Sequence, residues 1–148
     1  MAYLFRQKLK IEELANVPSG RGKILIYEPE RDLGILHAYY LRAHSFDVLQ
    51  CDEVSKLRQL AAAFNPDLLI FSADGEFSPN SFINFRSSFP ELVAISIGFN
   101  LGSEGVGELM RAGVSSHINR KLSRPEDLPV LAKTILGYNG NTTEAYRT

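Results

Sequence analysis

The chain has a single cysteine, Cys51, which excludes an internal disulfide framework and a cysteine-based zinc site. Neither sign of charge is in excess. A formal net charge of −1 over 148 residues argues against bulk attraction to nucleic acid or to an anionic membrane. No apolar run approaches the roughly 20 residues that a spanning helix needs. Met1 to Lys10 carries charges where a secretory signal would be apolar, so a cytoplasmic protein is expected. What is present is 45% hydrophobic and 22% charged residues, the balance of a globular protein at a length that suits one domain.

Residues 1–22 read as a preface. Leu9, Ile11 and Leu14 stand among charges, a pattern for a solvated arm or a short amphipathic helix, before Pro18-Ser19-Gly20 breaks it. From Lys23 the pattern becomes regular. Ile24-Leu25-Ile26-Tyr27 is an apolar run suited to a buried parallel strand, and Leu33, Leu36, Tyr40 and Leu41 follow at helical spacing. Phe46-Asp47-Val48-Leu49 predicts a second strand, and Val54, Leu57, Ala61 and Phe64 predict a second helix. Asn65-Pro66-Asp67 stops that helix and leads into Leu68–Phe71, the most apolar strand.

The alternation continues through the second half. Ser78-Pro79 has the form of an N-cap followed by proline at the first helical position, with Phe82, Phe85 and Phe89 as the stripe behind it. Leu92–Ile97 is a fourth strand; Val106, Leu109 and Met110 mark a short helix that Gly113 ends. Ser115–Asn119 is a fifth strand, more polar, as suits a sheet edge. Ser123 to Gly137 reads as a closing helix with a Ser-x-x-Glu capping box (Ser123, Glu126) and an apolar face of Leu128, Leu131 and Ile135. Residues 138–148 are polar and rich in Gly, Asn and Thr, a flexible tail.

Five strands, each followed by a helix, make an α/β chain of (βα)5 type, with helices on both faces of a doubly wound parallel five-stranded sheet. The flavodoxin-like order 2-1-3-4-5 places a crevice outside the carboxyl ends of strands one and three. Glu28, Pro29, Glu30, Ser72, Ala73 and Asp74 fall at those ends.

Several local signatures, in order, resemble the CheY-like receiver domain of response regulators over residues 23–137. Ile24 to Glu30 is similar to that family's first strand with its acidic pair, and Pro66 to Ser72 to its acceptor strand. Ala94-Ile95-Ser96 is similar to the fourth strand with its switch hydroxyl. Ala112 to His117 is similar to the turn before strand five and its switch aromatic.

The departures bear on chemistry. The resemblance implies an acceptor aspartate where Ser72 stands, and a second magnesium-binding acid where Pro29 stands beside Glu28. Ser72 is a hydroxyl of high pKa with no evident base beside it, a poor nucleophile for an acyl-phosphate route. The family's lysine after strand five corresponds to Arg120 or, with a shift of one residue, to Lys121. Ser96 matches. The resemblance thus implies a pseudo-receiver that signals through protein–protein contact and is not an enzyme. Two alternatives stand beside it: an atypical receiver phosphorylated on Ser72 or Asp74, and a small-molecule or nucleotide-binding flavodoxin-like module using the same crevice.

No cofactor is expected. Glu28, Glu30 and Asp74 supply acidity for a weak magnesium site, or are loop carboxylates, solvated or paired with Arg120 or Lys121. His37 and His44 lie seven apart on one helix, too far for the i, i+4 pairing of a shared metal, and His117 is expected at the sheet edge. Gly102 to Gly107 lacks the Gly-Lys-Ser/Thr ending of a phosphate loop and carries Glu104, so a mobile loop and weak helix are expected there. Arg111, His117, Arg120 and Arg124 cluster around the fourth helix, fifth strand and fifth helix, which the resemblance makes the partner surface, for another signalling protein or a second copy. No aromatic interleaving accompanies these basic residues, so nucleic acid is not expected.

Overall fold

The computed structural model describes residues 22–137. The expected arm, apart from Gly22, and the expected tail over 138–148 lie outside the described residues. The elements in chain order are β1 (Lys23–Tyr27), α1 (Arg31–Ala43), β2 (Asp47–Cys51), α2 (Val54–Phe64), β3 (Leu68–Ser72) and α3 (Pro79–Ser87). They continue with β4 (Val93–Gly98), α4 (Ser103–Arg111), β5 (Ser116–Asn119), a 3-10 turn (Pro125–Asp127) and α5 (Leu128–Leu136). All strand pairs are parallel and the order is β2-β1-β3-β4-β5, as the alternation of patterns requires.

Two cores flank the sheet because successive strand side chains point to opposite faces. Leu25, Leu69, Phe71 and Ala94 pack with Leu57 and Ala61 of α2, Phe82 and Phe85 of α3, and Leu109 of α4. Ile24, Ile26, Ile70, Ile95 and Ile97 pack on the other side with Ala38 and Leu41 of α1 and with Leu128 and Ala132 of α5. All five residues of β3 are buried, since helices cover it on both faces. The expected phenylalanine stripe forms, joined by Phe77: the Phe71 and Phe82 rings stack at 5.3 Å and Phe77 meets Phe71 edge-on at 5.0 Å. Ser78 caps α3 as expected, its hydroxyl accepting from the Ser81 N–H at 3.1 Å.

Three local expectations are corrected. The inner face of α1 is Gly34, His37, Ala38 and Leu41, whereas Leu36 is exposed; small residues let this helix approach the sheet, and they outweigh the larger apolar ones in setting its rotation. Met110 of α4 is likewise exposed, leaving Leu109 as the buried anchor. The closing helix begins later than Ser123. The Ser123 hydroxyl donates back to the Asn119 carbonyl at 2.9 Å, and the cap is instead the Asp127 carboxylate accepting from the Arg124 N–H at 3.1 Å. Gly102 to Gly107 is no phosphate loop: Gly102 caps α4, and Gly105 and Gly107 lie within that helix.

Candidate functional site

The parallel register brings the carboxyl ends of β1, β3, β4 and β5 into one row, with Ser72 at the end of β3 and Glu28 directly after β1. Glu28 leaves β1 and is 6% exposed. Gly34 of α1 packs against it: a Cβ at that glycine would sit 3.4 Å from the Glu28 Cβ, in van der Waals contact. One Glu28 carboxylate oxygen, Oε1, accepts from Arg120 Nη2 at 2.9 Å, and the other, Oε2, from the Glu30 N–H at 3.0 Å. The two charged side chains are 9% (Arg120) and 7% (Glu28) exposed, a buried ion pair. The guanidinium also lies over the Phe99 ring, 5.0 Å from its centroid. Of Arg120 and Lys121, Arg120 is the cation drawn into the pocket, while Lys121 is exposed.

Ser72, at the end of β3, is 4% exposed, and its hydroxyl accepts from the Asp74 N–H at 3.4 Å. Asp74 is turned to a structural task. Its two carboxylate oxygens each lie 3.0 Å from the Phe99 nitrogen, and Oδ1 is 3.4 Å from that of Asn100, so these N–H groups of the β4–α4 loop donate to it. Gly98 makes room for this clamp, since a Cβ there would stand 3.0 Å from Asp74 Oδ1 and 3.3 Å from His117 Cε1. Glu30 and Pro29 are exposed beside the crevice.

Ser96 of β4 is opposite His117 of β5 in the register, and the Ser96 hydroxyl meets His117 Nδ1 at 2.7 Å. Burial holds the His117 pKa below the ordinary histidine value, opposed by the nearby Asp74 carboxylate. A hydroxyl beside an imidazole has the makings of a nucleophile and base, but Ser96 is 0% exposed. The pair is a cross-strand tie.

These residues do not fit a magnesium ion. Arg120 occupies one oxygen of Glu28, a backbone N–H takes the other, Pro29 offers no side-chain oxygen, and amides hold Asp74. Among the described residues, no group of three His, Cys, Asp or Glu side chains is placed to hold a metal.

The expected partner surface is divided by the structure. Arg111 and Arg124 are exposed, the latter 3.5 Å from Asp127, and His117 is half-buried. Arg120 belongs to the crevice and not to that surface, because Glu28 draws it inward. Two residues had no place in the sequence reading of the site: Phe99, which packs on Arg120, and His37, buried on α1. His37 shows no motif, and its inner position follows only from the rotation of α1.

No family model and no curated protein matches the chain. Solved structures do. An orphan response regulator of H. pylori has a TM-score of 0.72 at 18% identity, covering 80% of this chain and 99% of that one. A CheY-like receiver domain protein from Methanospirillum hungatei has a TM-score of 0.72 at 15% identity, covering 84% of this chain and 99% of that one. An atypical orphan response regulator, described as having a phosphorylation-independent regulatory mechanism, has a TM-score of 0.69 at 16% identity, covering 78% and 96%. The fold of this chain is that of CheY-like receiver domains.

Proposed function

We propose that this chain is a signalling module of receiver fold that acts by protein–protein contact, without phosphorylation and without enzymatic activity. The observation that carries the reading is the buried Glu28–Arg120 pair. A guanidinium stands on the carboxylate that would face a metal, and the neighbouring acceptor position is a buried serine. Phosphoryl transfer to a carboxylate depends on a metal cation and an acceptor held in line, whereas here Arg120 stands on Glu28 and a serine stands at the acceptor position. The likeness to an atypical orphan regulator described as phosphorylation-independent supports the same reading. The contact surface is the α4–β5–α5 face, with Arg111 and Arg124 exposed and His117 at its edge, which suits an acidic patch on a cytoplasmic signalling protein or a second copy. A partner selects this surface directly, with no modification needed to expose it.

The test is incubation with acetyl phosphate and magnesium, followed by intact-mass spectrometry. The expected spectrum is unchanged. A phosphoryl adduct that disappears in Ser72→Ala or Asp74→Asn establishes an atypical phosphorylated receiver and refutes the reading. Ser72→Asp alone is expected to restore nothing, because Arg120 still occupies Glu28.

A further inference from the structure

The outer side of α1 carries an apolar stripe that none of the described residues covers. Ile35, Leu36 and Tyr39 are 45%, 38% and 61% exposed. With exposed Ala43 they recur at i, i+1, i+4 and i+8, one line along the helix. The inner side of the same helix is Gly34, His37, Ala38 and Leu41, so α1 is apolar on two sides. A helix lying between a core and solvent needs only one.

The chain enters the fold beside this stripe. Gly22 stands at the amino end of β1, its carbonyl accepting from the Asp47 N–H at 2.7 Å, and the adjacent Phe46 N–H donates to the Leu41 carbonyl of α1 at 3.2 Å. α1 returns the chain from the carboxyl end of β1 to the amino end of the parallel β2, so its last turn lies at the edge where Gly22 enters. α2 ends at that edge too, with Lys23 Nζ donating to the Phe64 carbonyl at 3.5 Å. Its exposed residues are Ser55, Lys56, Arg58, Gln59, Ala62 and Ala63, none of them large and apolar. Ile83 of α3 and Met110 of α4 are exposed, but those helices pack on the opposite face of the sheet from α1.

We propose that residues 3–17 of this chain dock as a helix on the stripe of α1, parallel to it. In a helical projection Tyr3, Leu4, Gln7, Ile11, Leu14 and Ala15 share one face about 120° wide, while Arg6, Lys8, Lys10, Glu12 and Glu13 all fall outside it. The lengths match: residues 3–17 span about 22 Å as a helix, against about 20 Å for the 13 residues of α1. Pro18 then ends the segment. Residues 18–22 reach up to about 17 Å, and packed helix axes stand about 8–10 Å apart, so this linker carries the chain around the end of α1 to its outer side. Both helices finish at the same edge of the sheet, which makes them parallel. Charge agrees with that direction. The segment is basic first (Arg6, Lys8, Lys10) and acidic later (Glu12, Glu13), whereas α1 has Asp32 in its first turn and Arg42 in its last. Arg31, beside Asp32, is answered by Asp52 at 3.3 Å. Opposite signs therefore face each other at both ends, which fixes the register. Leu14 then rests by Tyr39 and Ala43, and Ile11 by Leu36.

The chain has no tryptophan, so one introduced on the stripe reports on its cover. Tyr39→Trp is made in the full chain, with Ala62→Trp on the exposed side of α2 as the uncovered comparator. Each is also combined with Ile11→Glu and Leu14→Glu, and circular dichroism verifies that all four chains fold. Acrylamide quenching and emission wavelength are read over a wide range of protein concentration. The expected result is emission further to the blue at position 39 than at position 62, and quenching weaker by about threefold or more, which a docked share of about two-thirds or more produces. The glutamate pair brings position 39 to the level of position 62 and leaves position 62 unchanged. Three results overturn the proposal: equal quenching at the two positions in the chain with Ile11 and Leu14 intact; shielding of position 39 that survives the glutamate pair; or shielding that grows with concentration, which means a second copy is the cover. Should Tyr39→Trp not fold, amide chemical shifts of the wild-type chain and the glutamate pair decide. Differences centred on Ile35 to Ala43 uphold the docking, and their absence there overturns it.

Discussion

The Glu28–Arg120 pair provides the sharpest test of how the crevice is held. At 2.9 Å, two unit charges attract by about 6 kcal/mol at an effective dielectric of about 20. Removing both ions from water costs several kcal/mol each, so the pair as a whole is close to neutral beside an apolar replacement. Removing one partner is different, because the other remains buried without its counter-charge. Arg120→Met is therefore expected to destabilise the domain by about 3–5 kcal/mol. Glu28→Gln is expected to cost somewhat less, since an amide oxygen still accepts from the Glu30 N–H. The double variant should fall short of the summed costs by about 2 kcal/mol, the signature of coupled residues. Urea melts at pH 7 with a common m-value measure all three. Single variants within about 1 kcal/mol of wild type, the range of a solvated surface pair, refute the argument, as does strict additivity.

Three further outcomes are expected. Leu69→Ala and Ile26→Ala, each removing a fully or almost fully buried strand side chain, should cost about 2–5 kcal/mol in urea melts, and wild-type midpoints would refute the packing described for the two faces of the sheet. Acid should weaken the fold through His37: above pH 6.5 neither state holds its proton, and between 6.5 and about 4 the unfolded chain binds it while the folded one does not. Stability is thus full at neutral pH and falls by about 3 kcal/mol toward pH 4, a loss that the difference between wild type and His37→Phe isolates. Reversing charge at Arg111 and Arg124 should weaken a partner or self-association while leaving Tm nearly unchanged, since both are exposed; pull-down and sedimentation check the first, a thermal melt the second.

Local pattern carried much of this architecture. The run Leu68–Phe71 reads as a strand buried on both faces, and the Ser78-Pro79 start and phenylalanine stripe of α3 are short-range signals with one physical interpretation. The rotation of α1 was not legible in the same way. Its large apolar residues Ile35, Leu36 and Tyr39 are exposed while Gly34 and Ala38 are buried, and the packing of Gly34 against Glu28 is a tertiary fact. The crevice was half legible. Glu28, Ser72, Ser96 and Arg120 were all in view, yet their partners were not, because Glu28 meets a residue 92 positions away and Asp74 meets backbone amides 25 and 26 positions on. Spacing along the chain carries no record of pairings at that range. Arg120 accordingly read as a member of two sites, and only its burial separates them.

The same separation of 92 residues bears on time as well as on energy. Glu28 leaves the first described strand and Arg120 follows the last, so they are expected to meet only after most of the intervening sheet has assembled. Closing a loop of that length is entropically costly, and the nearer contacts of β1 with β2 and β3 offer earlier returns. The ion pair then belongs to the descent from the folding transition state and not to the climb. Weakening it is expected to leave the refolding rate almost as it was and to speed unfolding instead, which the two arms of a urea chevron measure. Where cleavage outpaces reclosing, such a contact is expected to lengthen the time each copy stays hidden from proteases that act on the open chain.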